Sequence, residues 1–466
     1  MNTMTLLRGG TVVTALGTRR ADVLLRDGRI AAVGPSLAAD GAEVVDATDR
    51  YVLPGGVDPH THLDATFRGE TTRDDFASGT AAALAGGTTT IVDFCIQPRG
   101  VGVSAALERW RERLVAHPPV CDVGAHFAVT DLAPSGVLEE LASLPERGFP
   151  SFKTYMAYPG RSMLDDTDQA RVLAVAAEHG ATVLVHAEDG PAIERLIGEA
   201  LSSGRTGLRE HARTRPPATE ADAIERIATL AGSAGAQLHV VHVSSALGVE
   251  AVAAARARGA RVTAETCPQY LLLDEALLDG PPERAAAFVF TPPPRGAEDR
   301  ARLWAGLADG TLDLVASDHC PFDLVGQKRT VDGGDFTTIL NGAPGIEHRL
   351  VLLHEHGVRR GRLGLERWVE LCATAPARRF GLGHRKGAIE VGLDADVVVF
   401  DPARRWTIRA AEQVSRVDHA VYEGMPVTGA VERVFLRGTE VVRDGRVVAA
   451  AGQGRFVLRE RTAETA

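Results

Sequence analysis

The middle of the sequence repeats one unit: a short apolar run rich in Val, Ile, Thr or Ala, a polar loop, then a longer stretch with helical Ala/Leu/Arg/Glu spacing. The runs fall at 51–57, 88–94, 121–129, 150–156, 181–186, 237–243, 260–265 and 312–317. Helical spacing covers 74–85, 103–116, 135–147, 167–179, 218–234, 246–258 and 298–309. Short continuous apolar runs suit strands buried on both faces, and strands separated by helices pair in parallel. Eight such strands close a (β/α)8 barrel, whereas an open doubly wound sheet needs fewer. The expected class is α/β, built on a TIM barrel.

Both ends read differently. Residues 4–48, 387–401 and 432–450 alternate apolar and polar positions around Gly-rich turns, the pattern of short antiparallel strands. The simplest arrangement joins them in one small β domain beside the barrel, dividing the chain at 1–52, 53–375 and 376–466. The last dozen residues are polar and expected to be loose in a monomer.

Composition excludes several partners. A net charge of −10 with no basic run argues against nucleic acid or an anionic membrane. No apolar stretch has the length of a membrane span, and the N-terminus lacks a signal-peptide pattern. Cys95, Cys121, Cys267, Cys320 and Cys372 show no CxxC spacing, so a reduced, cytoplasmic protein is expected.

Catalytic groups in a barrel sit at the C-terminal ends of its strands. Those ends here carry Asp58-Pro59-His60-Thr61-His62, Lys153, His186-Ala187-Glu188, His242 and Ser317-Asp318-His319-Cys320. Side chains alternate along a strand, so His60 and His62 share a face and can grip one metal ion. By the same rule His239 and His242 take opposite faces; His242 is nearer the strand end, and His239 is read as structural. His117, His179, His211, His354 and His356 fall in helices or loops and are read as surface residues. Imidazoles and a carboxylate converging on one mouth suit zinc or a similar divalent ion that activates water.

Of 51 Lys and Arg residues only Lys153, Lys328 and Lys386 are lysine. Codon bias explains the excess of arginine but not where lysine persists. An ammonium can lose its proton and become a nucleophile; a guanidinium effectively cannot.

The segments GGVDPHTHLD, DDFASGTAAALAGGTTTIVDF, SFKTYMAY, LVHAED, VVHVSS, ASDHCPF, GQK…GDF…NGAPGIEHR and KGAIEVGLDADVVVFDP resemble, in this order from about residue 50 to 401, the cyclic amidohydrolases of the dihydropyrimidinase/hydantoinase group. The resemblance implies a distorted barrel beside a β-sandwich built from both chain ends. It implies two divalent metals, usually zinc with manganese as the alternative, bridged by Lys153 carbamylated to N6-carboxylysine. A carbamate needs a neutral amine, which a buried lysine supplies and arginine does not. His60, His62 and Asp318 would hold the more buried metal, and His186 and His242 the more exposed one. A hydroxide between the metals would attack the ring carbonyl of a cyclic ureide. Asp318 would move its proton to the leaving nitrogen, and Tyr158 would donate to the developing oxyanion.

Backbone groups of Thr291 and Asn341 would hold the imide face, although the family most often has Ser at the first position. Phe67 and Tyr155 would surround the exocyclic substituent. His319 and His126 are expected to orient neighbours, and Cys320 is not expected to be a ligand. Lys328 and Lys386 match family motifs but are read as structural residues lacking a partner set. Relatives are commonly homotetramers, with a homodimer as the alternative.

Leu63, Asp64 and Ala65 after the HxH pair exclude the dihydroorotase pattern, which has an Arg there. LDATFRGE departs from the allantoinase run, which keeps an allantoinase-like cyclic ureide hydrolase as the alternative. A non-enzymatic scaffold relative is disfavoured because His60, His62, Lys153, His186, His242 and Asp318 are all present. Dihydropyrimidine and 5-substituted hydantoin stay open as substrates.

Overall fold

The computed structural model describes residues 4–38, 40–328 and 335–461. Eight parallel strands are hydrogen-bonded in chain order: β1 Gly56–Thr61, β2 Thr88–Ile96, β3 Asp122–Ala128, β4 Ser151–Tyr155, β5 Thr182–His186, β6 Gln237–Val240, β7 Val262–Thr266 and β8 Leu314–Val315. A bridge between Thr61 and His319 brings the two edges together, with the His62 N–H donating to the His319 carbonyl at 2.9 Å. The barrel is distorted where β8 shortens to two residues and β1 slips register twice against β2.

The strands are almost wholly buried, and β3, β4 and β5 are buried from end to end, as covered parallel strands must be. Expected helices form as Asp166–His179, Pro217–Ala234, Ala246–Ala257 and Ala297–Asp309. The Asp165 and Ser245 side chains accept backbone N–H bonds where the first and third begin, and left-handed Gly180 and Gly235 end the first and second.

The run expected as one strand at 51–57 divides. Tyr51–Pro54 pairs with Val397–Phe400 outside the barrel, and the barrel begins at Gly56. Gly55 makes the change of sheet possible, because a Cβ there would lie 2.1 Å from Thr89 Oγ1. The flanking β domain joins both chain ends in one nine-stranded sheet, eight strands in a single path and Glu43–Asp46 branching from Met4–Thr14. Its pairings are mostly antiparallel, but Met4–Thr14 runs parallel to both Glu43–Asp46 and Tyr51–Pro54. Alternation alone does not specify strand direction, which is set here by the connections.

Lys386 ties the two parts together. Its Nζ lies 2.7 Å from Asp122 on β3, 3.1 Å from Asp394 and 2.6 Å from Asp396, which corrects the expectation that it lacks partners. The chain end is also not loose as far as it is described. Phe456 packs on Trp110 and Phe149, and buried Arg459 donates to Ala125 O and to Ser151 Oγ. Residues 462–466 lie outside the described residues.

Candidate metal centre and active site

His60 stands at the end of β1. Its Nδ1 lies 2.5 Å from Glu265 Oε1 on β7, which turns Nε2 toward Asp318 Oδ1 at 3.1 Å. His62 Nε2 lies 3.3 Å from the same oxygen. His60, His62 and Asp318 form a cluster whose ligand atoms all lie within 4.8 Å of one another, a spacing that one metal ion can span. Burial opposes charge on both imidazoles, but the carboxylates of Asp318 and Glu265 push His60 up to about 9, whereas His62 falls to about 4.

A second pair faces this cluster. His186, ending β5, gives Nε2 to Glu188 Oε2 at 2.8 Å. Its Nδ1 then meets Nε2 of His242 at 3.0 Å. Burial lowers both imidazoles, which favours the neutral form that ligates metal. The His60 and His242 ring centroids are 5.4 Å apart, which links the two groups.

Lys153 lies on β4, 1% exposed, with Nζ 5.3 Å from the Phe94 ring centroid and 5.4 Å from that of Tyr155. Among the described residues no carboxylate comes within ion-pair distance of it. Burial therefore lowers its amine to about 7.

Tyr158 OH lies 2.5 Å from Thr291 Oγ1, and burial keeps the phenol protonated. Asp318, His242 and Tyr158 have φ of 50°, 39° and 68°, left-handed values costing of order 1–3 kcal/mol each for non-glycine residues. Such strain at three points of one site shows that the surrounding packing imposes the geometry.

His60, His62, Phe67, Lys153, Tyr155, Tyr158, His186, His242, Thr291, Asp318 and Asn341 all line one cavity of about 420 Å³. Three readings are corrected. His239 does not turn away from the barrel interior: its Nε2 lies 3.1 Å from Glu265 Oε2, beneath His60. Strand alternation ends at Val240, and the left-handed His242 turns its ring back inward. His211 and His354 are buried rather than superficial, paired with Phe290 O and Thr428 O. Lys328 has three partners, described below.

His319 Nε2 pairs with Asp74 at 3.1 Å, and His126 pairs with Ser151 Oγ and Pro59 O. Both stand behind the cavity as orienting groups. Glu265 is the contributor that sequence reasoning missed, although it closes the apolar run at 260–265 with a carboxylate; Glu188 stands among the strand-end groups legible in the sequence, without a role.

Residues 51–441 match the family model described as the amidohydrolase family. A D-hydantoinase of Geobacillus stearothermophilus is 46% identical over 455 residues, covering 97% of this chain and 96% of that protein.

The chain belongs to the amidohydrolase family, in its dihydropyrimidinase/hydantoinase group.

This amidohydrolase also superposes on the dihydropyrimidinase from Brevibacillus agri NCHU1002 with a TM-score of 0.95 and 45% identity, covering 100% of both chains. The L-hydantoinase from Arthrobacter aurescens gives 0.89 and 31% identity, with 98% and 100% covered. Among the described residues of the amidohydrolase no helix is long and apolar enough to cross a membrane.

Proposed function

We propose that the protein opens the ring of 5-substituted hydantoins, preferring the D enantiomer, and of dihydropyrimidines, giving the N-carbamoyl amino acid. The observation that carries this reading is the convergence of the His60–His62–Asp318 cluster and the His186–His242 pair on one cavity that also holds a buried lysine whose amine is lowered to about 7. The D preference rests on the higher identity to the D-hydantoinase than to the L-hydantoinase.

The donor set fits two divalent ions, zinc first and manganese second. Paired carboxylates hold the far nitrogens of His60 and His186, so the near nitrogens aim inward as ligands do. His60, His62 and Asp318 would hold one ion, and His186 and His242 the other. Lys153 would join them as a carbamate: its neutral Nζ forms a bond to the carbon of carbon dioxide and releases a proton, leaving a carboxylate. When bound, the ions supply Lewis acidity and lower the pKa of water in the site.

The remaining roles belong to side chains and backbone. Asp318 takes the proton of the attacking water and delivers it to the leaving ring nitrogen. Tyr158 donates its O–H to the developing oxyanion, from a position held by Thr291. Backbone groups of Thr291 and Asn341 hold the imide face. Phe67 and Tyr155 flank the exocyclic substituent; Phe67 packs edge-on against His62 at 5.6 Å.

The complete donor set and the family membership favour this reading over the allantoinase-like and non-enzymatic alternatives. We place the enzyme in the cytoplasm, in keeping with five free, buried cysteines. We assign it a homotetramer, the assembly that the family resemblance implies, and the three units read from the sequence, with the first boundary moved from 52/53 to Gly55, where the chain changes sheet. The test is a panel of dihydrouracil, dihydrothymine and 5-substituted hydantoins as separate enantiomers. Ring opening of D-hydantoins is expected, and no opening of any member after zinc or manganese loading overturns the reading.

A further inference from the structure

Lys328 is 1% exposed, and among the described residues it has no carboxylate partner. Its Nζ instead donates to three backbone carbonyls: Val289 at 2.7 Å, Leu340 at 3.0 Å and Gly342 at 2.7 Å. One ammonium has three N–H donors, and all three are used. Burial lowers this amine to about 7, so a polar head held only by carbonyls is a costly arrangement and its location calls for a reason.

The three carbonyls belong to the two segments that face the cavity. Val289 is two residues before Thr291, and Leu340 and Gly342 flank Asn341. The Gly342 N–H donates to Val289 O at 3.2 Å, joining the segments directly. Because the carbonyls on either side of Asn341 turn toward Nζ, the Asn341 carbonyl turns the other way. It lies 3.9 Å from Cys320 Sγ, on the cavity side.

The opposite wall is equally tight. Gly342 has φ +156°, and a Cβ there would lie 2.3 Å from Cys320 O. The segment is held between Cys320 in front and Lys328 behind.

We propose that Lys328 is a positioning residue for substrate: by drawing in the carbonyls of Leu340 and Gly342 it aims the Asn341 carbonyl into the cavity and fixes its distance from Thr291. This rests on the assignment of Asn341 and Thr291 as the backbone contacts of the cyclic ureide. It also explains why lysine persists here. Three donors must radiate from one point, which an ammonium does and a planar guanidinium does not.

The contact persists from ground state to transition state, so its loss acts mainly on KM. The experiment compares wild type with Lys328→Met, which removes all donors, and Lys328→Gln, which keeps two. Each is loaded with zinc and assayed for metal content and for kcat and KM on D-5-phenylhydantoin. Expected are unchanged metal content, kcat within about threefold, and KM raised at least tenfold in Lys328→Met and less in Lys328→Gln.

A KM within twofold of wild type in either folded variant overturns the proposal. So does a loss confined to kcat or to metal content. If Lys328→Met does not fold, Lys328→Gln decides alone; if neither folds, Lys328 is only a structural tie and the proposal falls. An inactive wild type defeats the functional reading itself, a result distinct from an active wild type with indifferent variants.

Discussion

Glu265 Oε1 stands 2.5 Å from Nδ1 of His60, deep on β7 and wholly buried. Burial would raise this carboxyl, but the His60 and His239 imidazoles outweigh it and hold it at about 2. The contact fixes which nitrogen of His60 points at Asp318.

Glu265→Gln keeps the size and removes the charge. Partners of this kind are worth about 10–100-fold in metal affinity. A zinc titration against a competing chelator is expected to show a loss of that order with the fold retained. Unchanged affinity would remove Glu265 from the site.

Tyr158→Phe deletes the hydroxyl that meets Thr291 Oγ1 at 2.5 Å. Loss of one oxyanion donor costs about 10²–10³ in kcat. Metal content is expected to match wild type while kcat falls by that order; an unaltered kcat takes Tyr158 out of the mechanism.

Lys386→Met leaves Asp122, Asp394 and Asp396 buried around a missing ammonium. Breaking a buried pair by removing one partner costs about 3–5 kcal/mol. Urea or thermal unfolding is expected to report a loss of this size. A change under about 1 kcal/mol would mean that the cluster does not tie the flanking sheet to β3.

Lys153 also sets a pH dependence. Only the neutral amine adds carbon dioxide, and burial holds its pKa near 7. In metal-stripped protein given zinc and bicarbonate, reactivation is expected to be slow below pH 7 and to accelerate as the pH rises through about 7. A reactivation rate independent of pH between about 6 and 8 would contradict this.

Much of this architecture is legible in the sequence because strand burial and helix spacing are local properties. The eight apolar runs locate the barrel, and polar residues at their ends locate the cavity. What escapes is whatever depends on backbone direction or distant partners. The opposite faces expected for His239 and His242 fail because β6 ends at Val240 and His242 is left-handed. The 51–57 run hides a change of sheet at Gly55, which only the contact with Thr89 reveals. Lys328 and Lys386 look partnerless because their acceptors are carbonyls and carboxylates brought together by the fold. Glu265 was within reach, since it closes the apolar run at 260–265 as Asp318 closes its own.

The central claim is that Lys153 serves as an amine that becomes a bridging carboxylate. Hydantoin opening and metal content in Lys153→Arg and Lys153→Ala, each loaded with zinc and bicarbonate, test it most directly. Both variants are expected to lose metal and activity, with partial recovery in Lys153→Ala when a short carboxylic acid is added. Full activity in Lys153→Arg, whose guanidinium cannot form the carbamate, would contradict the account.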